Sequence, residues 1–264
     1  MTYFRWSDWR SLRANDNLSI LDVVNFGTVD FKLAGLLWLL MEQRASVLVA
    51  AGPSFVGKTT LLHTLLDFLP PDIHQVALRG YDEDFKSLGS SQPDKTYLVT
   101  EEISNHSYEY LWGYQVIKAF ELLSKGYALG GTVHGRNVKE VAYVLNALGV
   151  PLPLIGKLDA VITLRVTSGR SYDDEPVRRV DTVSILSLTK EGLVAQTVAA
   201  RQATDDGFAY PPEQALHSAL ASKLAIKYGC VASEMERRER FLGQLRDRGI
   251  GSRNEVKKAI AEFY

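Results

Sequence analysis

The pattern of apolar and polar positions changes character several times along the chain. Lys32 to Arg44 is apolar almost throughout and predicts a mostly buried helix that leads directly into a strand, Ser46 to Ala51. After a glycine-containing break, Leu61, Leu62, Leu65, Leu66 and Leu69 recur at helical spacing until Pro70-Pro71 stops them. Short strands are predicted at Gln75 to Leu78 and Tyr97 to Thr100, then a helix from about Tyr108 to Ser124, a strand at Tyr127 to Val133 and a helix at Val138 to Leu148. Strands alternating with helices predict a largely parallel sheet covered on both faces. Beyond Asp159 the helices drop out: Val161 to Val166, Val180 to Leu188 and Leu193 to Ala199 read as consecutive strands, an antiparallel extension of the sheet.

Asp205 to Pro212 is turn-rich, and everything from Glu213 onward is helical. Ser233-Glu-Met-Glu236 and Ser252-Arg-Asn-Glu255 both have the form of a capping box, with Gly249 between the helices they would start. Glu234 to Arg248 alternates charges in the manner of a solvated helix face. The expected organisation is an N-terminal arm and lead-in helix at 1–45, an α/β core at 46–204 and a C-terminal helical region at 205–264.

Composition narrows the class. The 264 residues are 46% hydrophobic, enough for a buried core, and 30 basic against 31 acidic residues leave no net field that would favour nucleic acid. No nucleic-acid partner is expected. The single Cys230 excludes an internal disulfide and reads as a small, half-buried apolar side chain. The longest apolar run, Leu33 to Met41, falls short of the roughly 20 residues that span a bilayer, and the N-terminus lacks a signal-peptide core. A cytoplasmic protein is expected.

The chemistry concentrates in three places. Gly52-Pro-Ser-Phe-Val-Gly-Lys-Thr59 follows the first core strand and precedes a helix, the context in which a phosphate loop of the Walker A pattern works. Gly52 and Gly57 allow the backbone of Pro53, Ser54, Phe55 and Val56 to curl its available amides around phosphate oxygens, followed by Thr60 on the helix; Lys58 supplies charge and Thr59 offers a hydroxyl to Mg²⁺. Nucleotide binding, with ATP and Mg²⁺ as ligands, is the expectation. Tyr97-Leu-Val-Thr-Glu-Glu102 ends an apolar strand in two acids, of which Glu101 suits the shell of Mg²⁺ and Glu102 suits alignment of a water. His134 closes the strand Gly130-Gly-Thr-Val-His134, where an imidazole can reach a γ phosphate or the acid that senses it. His63, His74, His106 and His217 have no comparable setting, and their spacings give no metal site.

Together these residues resemble the secretion ATPases that power type II and type IV secretion, type IV pili and archaeal flagella, and are most similar to the archaeal-type branch. The resemblance is carried by Ile20 to Thr28 with Leu36-Leu-Trp-Leu-Leu40, by the phosphate loop, by Gly131-Thr-Val-His134, which is similar to the family's histidine box, and by Glu236-Arg-Arg-Glu-Arg-Phe-Leu242 with Gly249-Ile250 and Val256 to Tyr264. It implies a RecA-like P-loop NTPase core, an assembly that is typically a hexamer, and pilus or secretion components as partners, with peripheral contact at the inner face of a membrane through them. By resemblance Lys58 and Thr59 bind phosphate and Mg²⁺, Glu102 is the catalytic acid with Glu101 as the alternative register, and His134 is the γ-phosphate sensor.

The departures from that family are specific. About forty-five residues precede the first core strand, too few for the family's N-terminal domain. The aspartate box reads Arg79-Gly-Tyr-Asp-Glu-Asp84, leaving Glu83 as a substitute acid; Ser104 stands where an arginine follows the catalytic acid; and Asn105 to Gly113 looks like an insertion. Arginine fingers contribute about 10³ to 10⁵ in rate, so slow hydrolysis is expected unless Arg79, Arg178 or Arg179 compensates. Two readings remain open: a compact ATPase of this family, and a nucleotide-binding regulatory or structural module without motor activity. A small-molecule kinase lacks the arginine-rich lid it would need.

Overall fold

The computed structural model describes residues 17–52, 56–167, 177–224 and 226–264. The aromatic strip Tyr3 to Trp9, and Pro53, Ser54 and Phe55 of the glycine loop, lie outside the described residues.

The chain opens with two helices, α1 (Ile20–Asn25) and α2 (Phe31–Glu42), and then enters strand β1 (Val47–Ala51). Ser19-Ile-Leu-Asp22 starts α1 with a complete capping box, a signal present in the sequence that the mixed pattern of that region obscures. Helix α3 (Lys58–Leu66) follows the glycine loop, then β2 (His74–Ala77), β3 (Thr96–Ile103), α4 (Tyr114–Leu123), β4 (Ala128–His134), α5 (Val138–Ala147), the short α6 (Leu152–Ile155) and β5 (Ala160–Thr167). Strands β6 (Val177–Thr189), β7 (Gly192–Arg201) and β8 (Phe208–Ala209) lead to helices α7 (Glu213–Lys223), α8 (Val231–Asp247) and α9 (Arg253–Phe263).

One sheet has the order β2-β3-β4-β1-β5-β6-β7-β8. Its first five strands pair in parallel and the rest antiparallel. The mixed α/β architecture with a parallel core, an antiparallel extension and C-terminal helices is therefore the one the residue pattern predicts. Alternation along β1 explains the two-sided burial: Val47, Val49 and Ala51 belong to one core with α1 to α3 and α7 to α9, whereas Leu48 and Ala50 belong to the other with α4 to α6. The helix after β1 thus leaves toward one face and the helix after β4 toward the opposite face. Since β1 and β4 are neighbours, their carboxyl ends part to form a crevice, the usual ligand position of an open α/β sheet.

Three expectations need correction. The helix expected from Tyr108 starts at Tyr114, because the preceding residues fold back on β3 through Leu111 N–H donating to Glu102 O (2.9 Å) and Ser104 N–H donating to Leu111 O (3.2 Å). Ser233 does not cap a helix, since α8 already begins at Val231 and the Ser233 hydroxyl bonds back to Cys230 O at 3.0 Å. Cys230 itself is exposed, not half-buried. Ser252 does cap α9, accepting from Glu255 N–H.

Close strand packing under the crevice depends on Gly131: a Cβ there would lie 2.6 Å from Thr100 Cγ2. Gly131→Ala is expected to cost about 1–3 kcal/mol through overpacking, read as a lowered midpoint in chemical denaturation at unchanged slope.

Candidate functional site

Strand β1 is buried along its whole length and delivers Gly52 to the crevice. The loop ends at Gly57, whose φ of +90° is a left-handed conformation that strains any residue with a side chain. Lys58 then begins α3, so it stands in the first turn, where the backbone N–H groups lack intrahelical acceptors. Val56 is buried and anchors the loop in the core, while Thr59 and Thr60 are half-buried in the first turn.

Lys58 is unusual for a lysine in being only 6% exposed. Burial lowers its pKa from the ordinary lysine value, opposed by the negative charge of Glu102. The Glu102 Oε2 atom stands 3.8 Å from Lys58 Nζ, a loose pairing for a buried cation.

Two acids that are adjacent in sequence face different partners, as successive residues of a strand do, and both lie within a bulge of β3. Thr100 pairs with Gly131 and Ile103 with Val133, so three steps along β3 match two along β4. Glu102 turns toward Lys58 and His134, with His134 Nε2 at 3.1 Å from Glu102 Oε1. Glu101 turns toward α3, where His63 Nε2 lies 3.2 Å from Glu101 Oε1. The Thr132 hydroxyl donates to the Glu101 carbonyl at 2.6 Å and pins the bulge.

His134 is positioned by register. It pairs with Ala51 across the β1–β4 ladder, which brings its ring beside the start of the glycine loop, and Nδ1 lies 3.1 Å from Gly52 O. The imidazole therefore links the loop backbone to the Glu102 carboxylate. Beside it opens a cleft of about 590 Å³ lined by Gly52, His134, Gly135, Arg136, Glu140 and Tyr143 among others.

Other sequence candidates are placed elsewhere. Glu83, the substitute acid, is buried and braces its own loop, accepting from Arg79 N–H (2.7 Å) and Phe85 N–H (2.5 Å). Arg79 pairs with Asp84 at 2.7 Å and Arg179 with Asp206 at 2.8 Å. Arg178 approaches the glycine loop: a Cβ on Gly57 would meet its Cδ at 3.3 Å. His63 and His106, which have no distinctive sequence setting, both reach the site. His63 sits four residues beyond Thr59 on α3, a spacing that signals a shared face; His106 carries no such signal.

No family model matches the chain. Two relatives from Methanocaldococcus jannaschii are similar to it. Uncharacterized protein MJ1287 is 24% identical, over 85% of this chain and 90% of the relative. Uncharacterized protein MJ0900 is 22% identical over 94% of this chain, which spans 49% of that relative. Among solved structures, the VirB11 ATPase of the Brucella suis type IV secretion system is 15% identical with a TM-score of 0.42, covering 70% of this chain and 63% of that one. The ATPase DotB of Yersinia pseudotuberculosis is 14% identical with a TM-score of 0.44, covering 92% of this chain and 63% of that one. The described chain thus matches less than two thirds of the length of either solved relative, and the likeness is one of fold at most.

Proposed function

We propose that this protein binds ATP at the Gly52–Thr60 loop and hydrolyses it, with Glu102 as the group that orients water and accepts its proton. The observation that carries the reading is the convergence of a buried Lys58 at a helix start, Glu102 3.8 Å from its ammonium, and His134 bridging Glu102 to the loop. An ammonium so little exposed, with a distant counter-charge and first-turn amides beside it, fits a phosphate-bearing anion. Thr59 and Glu101 are the oxygen donors that would hold Mg²⁺, whose contribution is to neutralise phosphate charge. His134, oriented by the Gly52 carbonyl, holds Glu102 in place.

The motif set that resembles secretion ATPases supports a place in a pilus or secretion assembly, with a homo-oligomeric ring, a cytoplasmic location and peripheral membrane contact through partners. Among the described residues no helix is long and apolar enough to cross a membrane. One observation favours the second reading, a nucleotide-binding module with little motor activity: Arg79 and Arg179 are tied into ion pairs with Asp84 and Asp206, so two of the three candidate arginines are engaged away from the loop.

The test is MgATP affinity and turnover of the purified chain beside Lys58→Ala. Affinity is expected to fall at least about tenfold in the variant, consistent with loss of a charge-assisted contact of about 1.5–3 kcal/mol. Equal affinity in both proteins overturns the binding site. Binding without Lys58-dependent turnover selects the module, and turnover per subunit that rises with protein concentration selects an ATPase whose subunits complete one another's sites.

A further inference from the structure

We propose that Glu102, His106 and His134 form a binding site for a borderline divalent transition metal of the Zn²⁺ class, distinct from the oxygen-ligated Mg²⁺ that accompanies a nucleotide. One potential ligand atom from each of the three side chains lies within 4.8 Å of the others. Two imidazoles and one carboxylate are the donor set that suits Zn²⁺, Co²⁺ or Fe²⁺, whereas Mg²⁺ takes oxygen. Ligand atoms around tetrahedral Zn²⁺, at about 2.0–2.2 Å from the metal, sit roughly 3.3 Å apart. His106 is exposed, so rotation of its side chain can close the remaining gap without moving the core.

The hydrogen-bonding of His134 fits either a second ring proton or a metal ion at Nε2. Gly52 O is an acceptor only, so the contact at Nδ1 requires the proton on Nδ1. In the neutral ring that leaves a lone pair on Nε2, aimed at a carboxylate oxygen 3.1 Å away. Two lone pairs do not attract; either a second proton or a metal ion must stand between them. A ring N–H anchored on a backbone carbonyl is also how metal-ligating histidines are commonly oriented.

The third ligand is supplied by the segment after β3. His106 N–H donates to the Ser104 hydroxyl at 3.2 Å, and the Ser104 backbone is itself held by Leu111. This turn brings the His106 ring to 5.9 Å from that of His134. The two sites share Glu102, and His106 belongs to the metal site alone.

The site stands on these three side chains and needs no nucleotide. It is tested on the chelator-treated, nucleotide-free full chain in a Cys230→Ser background, which removes the one thiol. Titration with Co²⁺ is expected to give visible d–d absorption that saturates at one equivalent and is displaced by Zn²⁺. His106→Ala is expected to weaken Co²⁺ binding by about tenfold or more, with MgATP affinity retained as evidence that the fold is intact. His106→Ala that binds Co²⁺ as tightly as its parent, or a parent with no saturable Co²⁺ spectrum, overturns the proposal. Co²⁺ binding by a chain that fails to bind MgATP leaves this site standing and removes the ATPase reading, and the converse result removes only this site.

Discussion

Glu102→Gln is expected to lower ATP turnover by about 10²–10⁴-fold, the range for loss of a positioned proton acceptor. MgATP affinity is expected to hold or improve. The substitution keeps the shape of the side chain and an oxygen that can face His134, but it removes the negative charge 3.8 Å from the Lys58 ammonium. The proton of the attacking water then has no acceptor, while Lys58 is released from competition with bound phosphate. Glu101→Gln is the informative partner. Its carboxylate faces His63 instead of the lysine, so the loss is expected to fall mainly on Mg²⁺ affinity and to be smaller in rate than for Glu102→Gln, because the amide keeps one oxygen donor. Single-turnover rates and equilibrium binding, measured on both variants, separate the two roles. A larger rate loss in Glu101→Gln than in Glu102→Gln would assign the acid to the other register.

Arg238→Ala is expected to destabilise the fold by about 3 kcal/mol, a drop in thermal midpoint of roughly 6–12 °C. Arg238 is 1% exposed and joins α8 to α2 through Glu42, while pairing along its own helix with Glu234 at 2.7 Å. Its guanidinium also lies 5.9 Å from the Trp38 ring and 5.5 Å from the Phe263 ring. Hydrogen bonding to Arg238 is the main cause that lowers the Glu234 pKa from its ordinary value. Truncation leaves Glu42 without its cation and opens a void beneath Trp38, which stacks on Phe68 at 5.0 Å. The estimate sits at the low end for a broken buried pair because both carboxylates keep some contact with water, 22% and 34% exposed. Arg238→Met refills the volume without restoring the charge and is expected to fall between wild type and Arg238→Ala. A midpoint within about 1 °C of wild type for Arg238→Ala would show that the pairing contributes little.

The same residue marks a limit of reading along the chain. Glu234 to Arg248 carries the alternating charges of a solvated face, and most of it is one; only packing against α2 selects Arg238 for burial. The loop after β3 is a second case. Tyr108 to Gly113 has the apolar content of a helix start, yet its backbone is committed to β3 through Leu111. Glu83 is a third, since an acid in a predicted functional position proves to be occupied in holding its own loop closed.

The residue pattern by itself determined where the strands and most helices fall, the change from parallel to antiparallel pairing beyond Asp159, and the glycine loop between β1 and α3. These are local properties: burial periodicity, glycine's tolerance of positive φ, and the stop that Pro70-Pro71 imposes. Only the tertiary structure decided which of Glu101 and Glu102 meets Lys58, that His134 lies against Gly52, and that His106 joins them. Those outcomes depend on a bulge in β3 and on the register of β4 against β1, elements separated by scores of residues. One residue of register reverses the face of every side chain that follows it, and a single strand carries no record of the partner that sets it.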